Sequence, residues 1–455
     1  MKRKRITALK LKIGIAAAFM IFGFSSLSAQ QQVSLQEAIK QALQNKAEAK
    51  KAALQVKKAE YKIDEARAGA LPQISANISN TFNPILQTSV LPGEIIGMPG
   101  QLVPVTFGTK WQSVNSVSLY QNIFDQRVFT GLKAAKTTRE FYQINADLTE
   151  EQVIERVANA YYQVYVQQQK LEVVENNLKN ANKVKDIIKG QFDNGLARKI
   201  DLDRISVRVN NINSIKQQLI NAISLQENAL KFYMGMPVEN KVVIPKTAFE
   251  VTPQDLSKTA DVTNRTEYLL MKKQEQLLMY QKKAFQASYY PTLSLSGGYN
   301  YIGQGPEMPL FAKPADGVYW SDFASIGLSL RVPLFTGFGT RAKVRQANNA
   351  LSSIKVDLDD TKLALDLAFD NAKKQLENSL ITINNQKENA QLAQEVFDNT
   401  NNNYTQGLAA LTDLLDAENA LVEAQNNYTN AILEYKLAEI QFIKSKGELK
   451  TLTNK

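Results

Sequence analysis

Residues 290–301, Tyr-Pro-Thr-Leu-Ser-Leu-Ser-Gly-Gly-Tyr-Asn-Tyr, decide the architecture of this chain. Leu293, Leu295, Tyr299 and Tyr301 alternate with Thr292, Ser294, Ser296 and Asn300, the period of two that gives a strand one apolar and one polar face. Three further segments repeat the pattern. Ile74, Ala76 and Ile78 alternate with Ser75, Asn77 and Ser79, and Val117, Leu119 and Ile123 with Ser116, Ser118, Tyr120 and Asn122. Ala324, Ile326, Leu328, Leu330 and Val332 alternate with Ser325, Gly327, Ser329 and Arg331. The predicted strands, 72–83, 113–124, 292–301 and 323–333, are each about ten residues, enough to cross a bilayer at a tilt. A soluble antiparallel sheet with one wet face shows the same alternation. The aromatic residues favour the membrane. Trp111 and Trp320, the only tryptophans, precede the second strand of each pair, and Phe82, Tyr299, Tyr301, Tyr319 and Phe323 gather at that end. This is the distribution of an interfacial girdle. Beside it, loops carry Pro84, Pro92, Pro99 and Pro104, then Pro306, Pro309 and Pro314. Four strands cannot close a barrel, so a membrane sheet of this kind requires a ring of copies.

The pattern occurs twice because the chain is two copies of one plan. Leu71-Pro72 recurs as Tyr290-Pro291, and Asn122-Ile123-Phe124 as Pro333-Leu334-Phe335. Asn194-Gly195-Leu196-Ala197 recurs as Gln406-Gly407-Leu408-Ala409, Asp201 as Asp413, and Gly235 as Gly447, all at one spacing. Each half reads as helix, strand, loop, strand, very long helix, tip and returning helix. The first copy spans 30–235 with its tip near 195. A segment over 236–263, richer in proline and β-branched residues, separates it from the second copy, 264–447, whose tip lies near 407. Residues 448–455 form a tail.

The long helices are read from what they lack. Between Arg127 and Lys189 there is no proline and only Gly131, near the start, so one helix of roughly 90 Å is expected. Val153, Val157, Ala160, Val164, Gln167, Leu171, Val174, Leu178 and Ala181 follow the 4-3 spacing of a coiled-coil seam. Arg341–Tyr404 forms the equivalent helix, and Ile205–Tyr233 and Leu414–Ile443 return. Outside the seams these helices are rich in Asn, Gln, Ser, Lys and Glu, as in a hollow cylinder wetted on two faces. A rod-like coiled-coil protein explains the helices but not the two-faced strands.

Composition removes most chemistry. The 455 residues are 44% hydrophobic and 22% charged, with no cysteine and no histidine. Disulfides, thiolate nucleophiles, most zinc sites and histidine acid–base catalysis are excluded. No catalytic constellation is found. The N-terminus reads as an export signal over 1–29: Lys2, Arg3, Lys4, Arg5, Lys10 and Lys12, then an apolar core from Ile13 to Phe24, then Ser25, Ser26, Ser28 and Ala29. A junction without cysteine is not lipidated there. Six basic and no acidic residues precede Gln30, so +4 of the formal +10 charge belongs to the mature chain, too little to indicate nucleic acid. No later run of 18 apolar residues exists, leaving a β-barrel as the only way into a membrane.

Three weaker signals are set aside. Gly337-Phe338-Gly339-Thr340-Arg341-Ala342 fits the dinucleotide fingerprint, but an amphipathic strand precedes it, an overlong helix follows and no βαβ unit receives it. Asp201 and Asp203 begin like a calcium loop, yet Ser206 stands where glycine is required. Eight methionines define no specific metal site. No metal or cofactor is expected.

With these elements in order, the mature chain resembles the TolC-like outer membrane efflux family over essentially its whole length. The residues that carry the resemblance are the tandem repeat, the Leu71-Pro72 and Tyr290-Pro291 junctions, and Pro333-Leu334-Phe335-Thr336-Gly337. Most specific are the tips, Phe192-Asp193-Asn194-Gly195-Leu196 to Asp201 and Tyr404-Thr405-Gln406-Gly407-Leu408 to Asp413-Leu414-Leu415-Asp416-Ala417. The resemblance implies a mainly α fold with a small β part: a homotrimer sharing one twelve-stranded barrel in outer-membrane lipid, above a helical periplasmic tunnel. It places 236–263 and the tail in an equatorial belt. It also implies a passive duct for small molecules such as drugs and toxic compounds, working with a periplasmic adaptor and an inner-membrane transporter. The outer-membrane component of a type I protein secretion system shares this architecture, and a periplasmic coiled-coil adaptor is the remaining alternative.

At the tips, Gly195 and Gly407 permit chain reversal. Asp413 and Asp416, three apart on one helix face, would form a carboxylate ring in a trimer, suited to a cation-selecting constriction. Complementing a helix N-terminus is the other role open to them, and the one expected of Asp201. Tyr404 matches the tip tyrosine of the family's closed gate. The arginine expected two residues after the second glycine is replaced by Ala409, while Arg198 stands on the other tip. The gate is therefore expected to depend on carboxylate repulsion and adaptor binding. Mass spectrometry of the exported protein should find Gln30 as the first residue. An N-terminus at Ala29 would move the cut to follow Ser28, and an intact Met1 would refute the signal.

Overall fold

The computed structural model describes residues 32–245, 256 and 261–453. The export signal lies outside them, as do most of the 246–260 stretch and the last two residues of the tail. The elements are α1 (Leu35–Asn45), α2 (Ala47–Ala68), β1 (Gln73–Phe82), β2 (Gln87–Pro92), β3 (Leu102–Phe107), β4 (Trp111–Phe124), α3 (Gln126–Asp193), α4 (Lys199–Met234), α5 (Thr266–Ala287), β5 (Thr292–Gly305), β6 (Tyr319–Arg331), α6 (Gly339–Thr405) and α7 (Leu411–Ser445). They belong to two compact units, one of residues 51–148 and 263–364, the other of the remainder. The long helices α3 and α6 supply residues to both.

The first unit holds an antiparallel sheet in the order β1-β4-β5-β6. Its register aligns like with like: Ile74 opposes Leu119, Ala76 opposes Val117, Leu293 opposes Leu330 and Leu295 opposes Leu328. Ser75 opposes Ser118, their hydroxyls 2.8 Å apart, and Ser294 opposes Ser329. One face is therefore mainly apolar, with Asn80, Ser113, Asn115 and Asp322 toward the Trp111 end, and it is open along the outer strands: Ile74 is 70% and Ile326 87% exposed. A register shift between Asn122 and Phe124 leaves Ile123 without a partner and sets Phe124, rather than Ile123, opposite Leu293.

Three expectations are corrected here. First, the stretch between β1 and β4 is not simply loop. It contains a second hairpin, β2–β3, despite Pro92 and Pro104. Gly93 donates to the Gln101 carbonyl at 2.7 Å, so the pairs Pro92–Leu102 and Val90–Pro104 are those whose N–H positions point away from the partner strand. Proline costs this ladder nothing and denies both outer edges a donor. Second, Tyr319 and Phe323 do not join the other girdle aromatics. They oppose Gln304 and Asn300 on the polar face, while Phe82, Trp111, Tyr299, Tyr301 and Trp320 stay on the apolar one. Third, strand bounds shift: β5 runs four residues beyond 301, and β6 begins at Tyr319 and ends at Arg331, leaving Val332 and Pro333 outside.

The second unit is built on the predicted seam. Val153, Val157, Ala160, Val164, Val174 and Ala181 are buried. Ile154, Ala158, Tyr161, Tyr162, Tyr165 and Val166 are buried too, so this part of α3 is covered on more than one side. The cover comes from α1, from Val242 and Ile244, and from the C-terminal ends of α4 and α7. α1 starts at a capping box in which Ser34 Oγ accepts the Glu37 N–H and the Glu37 carboxylate accepts that of Ser34. Tyr161 donates its hydroxyl to the Val33 carbonyl at 3.1 Å, and burial raises its pKa. Lys46, between α1 and α2, donates to the Phe232 carbonyl at 2.9 Å with its ammonium 3.4 Å above that ring.

Gly235 and Gly447, equivalent in the two halves, end α4 and α7 in the left-handed region with φ of 69° and 74°. In each case the glycine and the next residue donate back to the last turn. A Cβ at Gly235 would stand 2.9 Å from the Asn45 carbonyl carbon. Gly407, with φ 75°, has open space around it. Gly407→Ala should cost about 1 kcal/mol from the left-handed backbone alone, and Gly235→Ala distinctly more. Equal losses in thermal unfolding would show that the α1–α2 junction moves aside.

Candidate functional site: the helical tips and the two-faced sheet

Both tips close identically. Gly195 donates to the Phe192 carbonyl at 2.9 Å and Leu196 to that of Gln191 at 2.8 Å. Gly407 donates to the Tyr404 carbonyl at 3.0 Å and Leu408 to that of Asn403 at 2.8 Å. Each glycine is left-handed, as a reversal with this bonding requires.

The carboxylates diverge from that symmetry. Asp201 and Asp413 both sit in the first turn of their helices. Asp413 accepts the Ala410 N–H at 3.0 Å, which is helix-end complementation. Asp201 instead binds Arg198, Nε to Oδ2 at 3.1 Å. Asp413 and Asp416 are exposed, and Asp416 lines a cavity of about 650 Å³ with Arg204, Arg208, Thr412 and Asn419. Tyr404 is half-buried against the cluster of Phe397, Leu414, Ala417 and Leu421. Burial raises its pKa, and the negative charge of Asp201 adds to the rise. The two tips thus bring Tyr404, Asp201 and Arg198 within one electrostatic neighbourhood. Ala409 has no charge to offer there, and Arg198 pairs with Asp201 within the first tip.

The strongest polar link nearby was not predicted. Arg208 on α4 binds Glu418 on α7, Nε to Oε2 at 2.7 Å, and donates to Asn419 Oδ1 at 2.5 Å. The Glu418 side chain is only 5% exposed and its Oε1 has no hydrogen-bond partner. Burial raises the Glu418 pKa, against the lowering effect of Arg208. Nothing local in the sequence marks this pair, since its register depends on how two distant helices pack.

A second belt of aromatic and aliphatic side chains also escaped the sequence reading. Phe124 and Phe129 lie 6.1 Å apart, and Phe335 and Phe338 meet edge to face at 5.3 Å. Leu334 is 93% exposed. Phe338 holds a left-handed φ of 62°, an unfavourable backbone for a bulky residue. These residues flank the ends of β4 and β6 opposite Trp111 and Trp320. The Pro333-Leu334-Phe335 motif was the available signal. At the other end Tyr301 stacks on Trp320 at 4.5 Å and Phe82 lies 4.7 Å from Trp111. An apolar band between two aromatic belts is the lipid-facing pattern of an outer-membrane sheet.

Among the described residues no helix is long and apolar enough to cross a membrane, and no group of three or more Asp or Glu is placed to hold a metal ion. A mainly helical chain with such a sheet defines an outer-membrane channel protein. Comparison with known proteins agrees: the chain belongs to the outer membrane efflux protein family, whose model matches residues 38–236 and 269–448. It is an outer-membrane duct of efflux pumps, from a family of channels rather than enzymes. It is 24% identical to the outer membrane protein TolC of Vibrio cholerae, over 73% of this chain and 76% of that protein. It is 25% identical to the alkaline protease secretion protein AprF of Pseudomonas aeruginosa, over 71% and 67%. The solved outer membrane protein VceC of Vibrio cholerae shares the fold, with a TM-score of 0.70 at 18% identity over 91% of this chain and 96% of that one. CusC does likewise, at 0.73 and 14% over 91% and 92%.

Because its folded pKa is raised, Glu418 contributes stability below the ordinary carboxylate pKa and loses it as pH rises through the raised value. Amide protection in the first turns of α7 should therefore fall as pH rises above the ordinary carboxylate range, and Glu418→Gln should flatten the profile. Arg208→Ala strands a buried carboxylate and should weaken the same turns by about 3 kcal/mol in hydrogen exchange. Unchanged protection in both variants would mean that the pair does not tie α4 to α7.

Proposed function

We propose that three copies of the chain close one twelve-stranded barrel and form a passive conduit through the outer membrane. The observation that carries this reading is the pair of open edges, on β1 and β6, of a sheet whose mainly apolar face is exposed along those two strands. In lipid each unpaired backbone group costs several kcal/mol. Pairing β6 of one copy with β1 of the next removes both edges at once, and the smallest bacterial barrels have eight strands, so one copy cannot suffice. Family membership supports three copies over two. The Ser, Asn and Thr face lines the lumen, the Ile and Leu face meets lipid, and the two aromatic belts mark the interfaces.

The chain reaches this membrane by its cleaved N-terminal signal and is not lipidated. Its two tandem halves, 30–235 and 264–447, form the wall of a periplasmic tunnel, and the segment between them lies at its equator. The equal closures at Gly195 and Gly407, and at Gly235 and Gly447, support the tandem plan. Small molecules enter from an inner-membrane transporter through a periplasmic adaptor, and those partners supply the energy. The relative named as an alkaline protease secretion protein favours a second reading, protein cargo in the same duct.

Asp413 and Asp416 ring the tunnel entrance. The Tyr404, Asp201 and Arg198 neighbourhood links the two tips in the closed state, and the inner helices rotate past one another to open it. In planar bilayers the wild-type channel should be blocked by a trivalent cation added on the tip side. The Asp413→Asn/Asp416→Asn double variant should need at least about tenfold more cation for half-block. Unchanged conductance and block would remove these two residues from the constriction.

A further inference from the structure

The four strands of the large sheet carry only two charged residues, Asp322 and Arg331. Asp322 lies on the apolar face near the outer belt and accepts the Tyr299 hydroxyl at 3.0 Å. Arg331 ends β6 on the polar face, opposite Thr292. It is exposed, and among the described residues its guanidinium has neither a hydrogen-bond nor an ion-pair partner. It lines a cavity of about 460 Å³ at the base of that face, with Tyr120, Asn122, Ser294, Ser329 and Thr336.

The only carboxylate in this cavity is already taken. Asp125 accepts the Arg127 backbone N–H at 2.8 Å and the Arg127 guanidinium at 2.7 Å, and is 7% exposed. The cavity therefore holds two guanidinium groups against one carboxylate, with a surplus of hydroxyl donors. A guanidinium without a partner, among hydroxyls and beside a carboxylate already paired with Arg127, matches a carboxylate, sulfonate or phosphate group.

We propose that this cavity is an anion-recognising subsite in the lumen, with Arg331 as its charged anchor and the Ser294 and Ser329 hydroxyls as neutral donors. The subsite rests on the reading that the polar face lines the duct. It is distinct from the acidic tip: cargo meets carboxylates on entry and one unpaired guanidinium per chain where the helices give way to strands. Anionic groups on a passing molecule pause there, and small anions are favoured over cations in the barrel.

The test is block of the reconstituted full-length channel by pyrene-1,3,6,8-tetrasulfonate added on the loop side of the barrel, which reaches Arg331 without passing the tips. Wild type is blocked. Arg331→Gln raises the half-blocking concentration about tenfold or more and shifts the potassium-to-chloride permeability ratio toward potassium. Arg331→Lys keeps most of the block, and Arg341→Gln, on α6 and outside the cavity, keeps all of it. Ser329→Asp, which leaves Arg331 in place but supplies it with a carboxylate, also abolishes block should Arg331→Gln fail to assemble. Normal channels in which Arg331→Gln and Ser329→Asp are blocked like wild type would overturn the subsite and leave the duct standing. A wild-type protein that forms no channel overturns both.

Discussion

A strand placed in hydrocarbon has no water to take up an unpaired N–H or C=O, and most features of the sheet follow from that constraint. β1 and β6 each present one open edge, which hydrocarbon would leave without hydrogen-bond partners. The strands match the thickness of a bilayer, and charge is confined to Asp322 and Arg331 near opposite ends of β6. The small hairpin β2–β3 obeys a different rule. Lying beyond the belt of Trp111 and Phe82, it closes its own outer edges with Pro92 and Pro104, which carry no N–H to donate.

The helices solve the same hydrogen-bonding problem within each chain, so their difficulty lies at the ends. Four left-handed glycines, at 195, 235, 407 and 447, return the last carbonyls of α3, α4, α6 and α7 to the backbone. What differs between the tips is charge. Arg198 engages Asp201 on one, whereas on the other Asp413 caps its own helix and Asp416 stays open to solvent. The buried Arg208–Glu418 pair joins α4 to α7 a few residues beyond. A carboxylate with one oxygen unpaired in an apolar setting contributes little net stability, so this pair suits setting helix register better than holding helices together.

Much of this was legible because it is local. The alternation at 290–301 gives strand, face and register parity, and the missing prolines between 127 and 189 give the helix. The two Gly-Leu-Ala motifs give the tips. Parity was also enough to place Phe323 beside Ser325 and away from Ile326, so its assignment to the girdle was an avoidable error of counting by position along the chain instead of by face. The β2–β3 hairpin was hidden because proline reads as a breaker until the partner strand shows which way its nitrogen points. The width of the buried surface on α3 was hidden because it is set by α1 and by Val242 and Ile244, far away in sequence. For the tips, the glycines and aspartates were found from the repeat, but Arg208 and Glu418 meet only through the packing of two helices, and no periodicity within either helix reports that.

The native mass of the protein extracted in detergent from the outer-membrane fraction tests the shared barrel most directly. Three protomers that stay together in mild denaturant are the predicted result, since each copy supplies the edges that the next must cover. A single chain released without detergent would contradict it, because an open four-stranded sheet cannot reside in lipid.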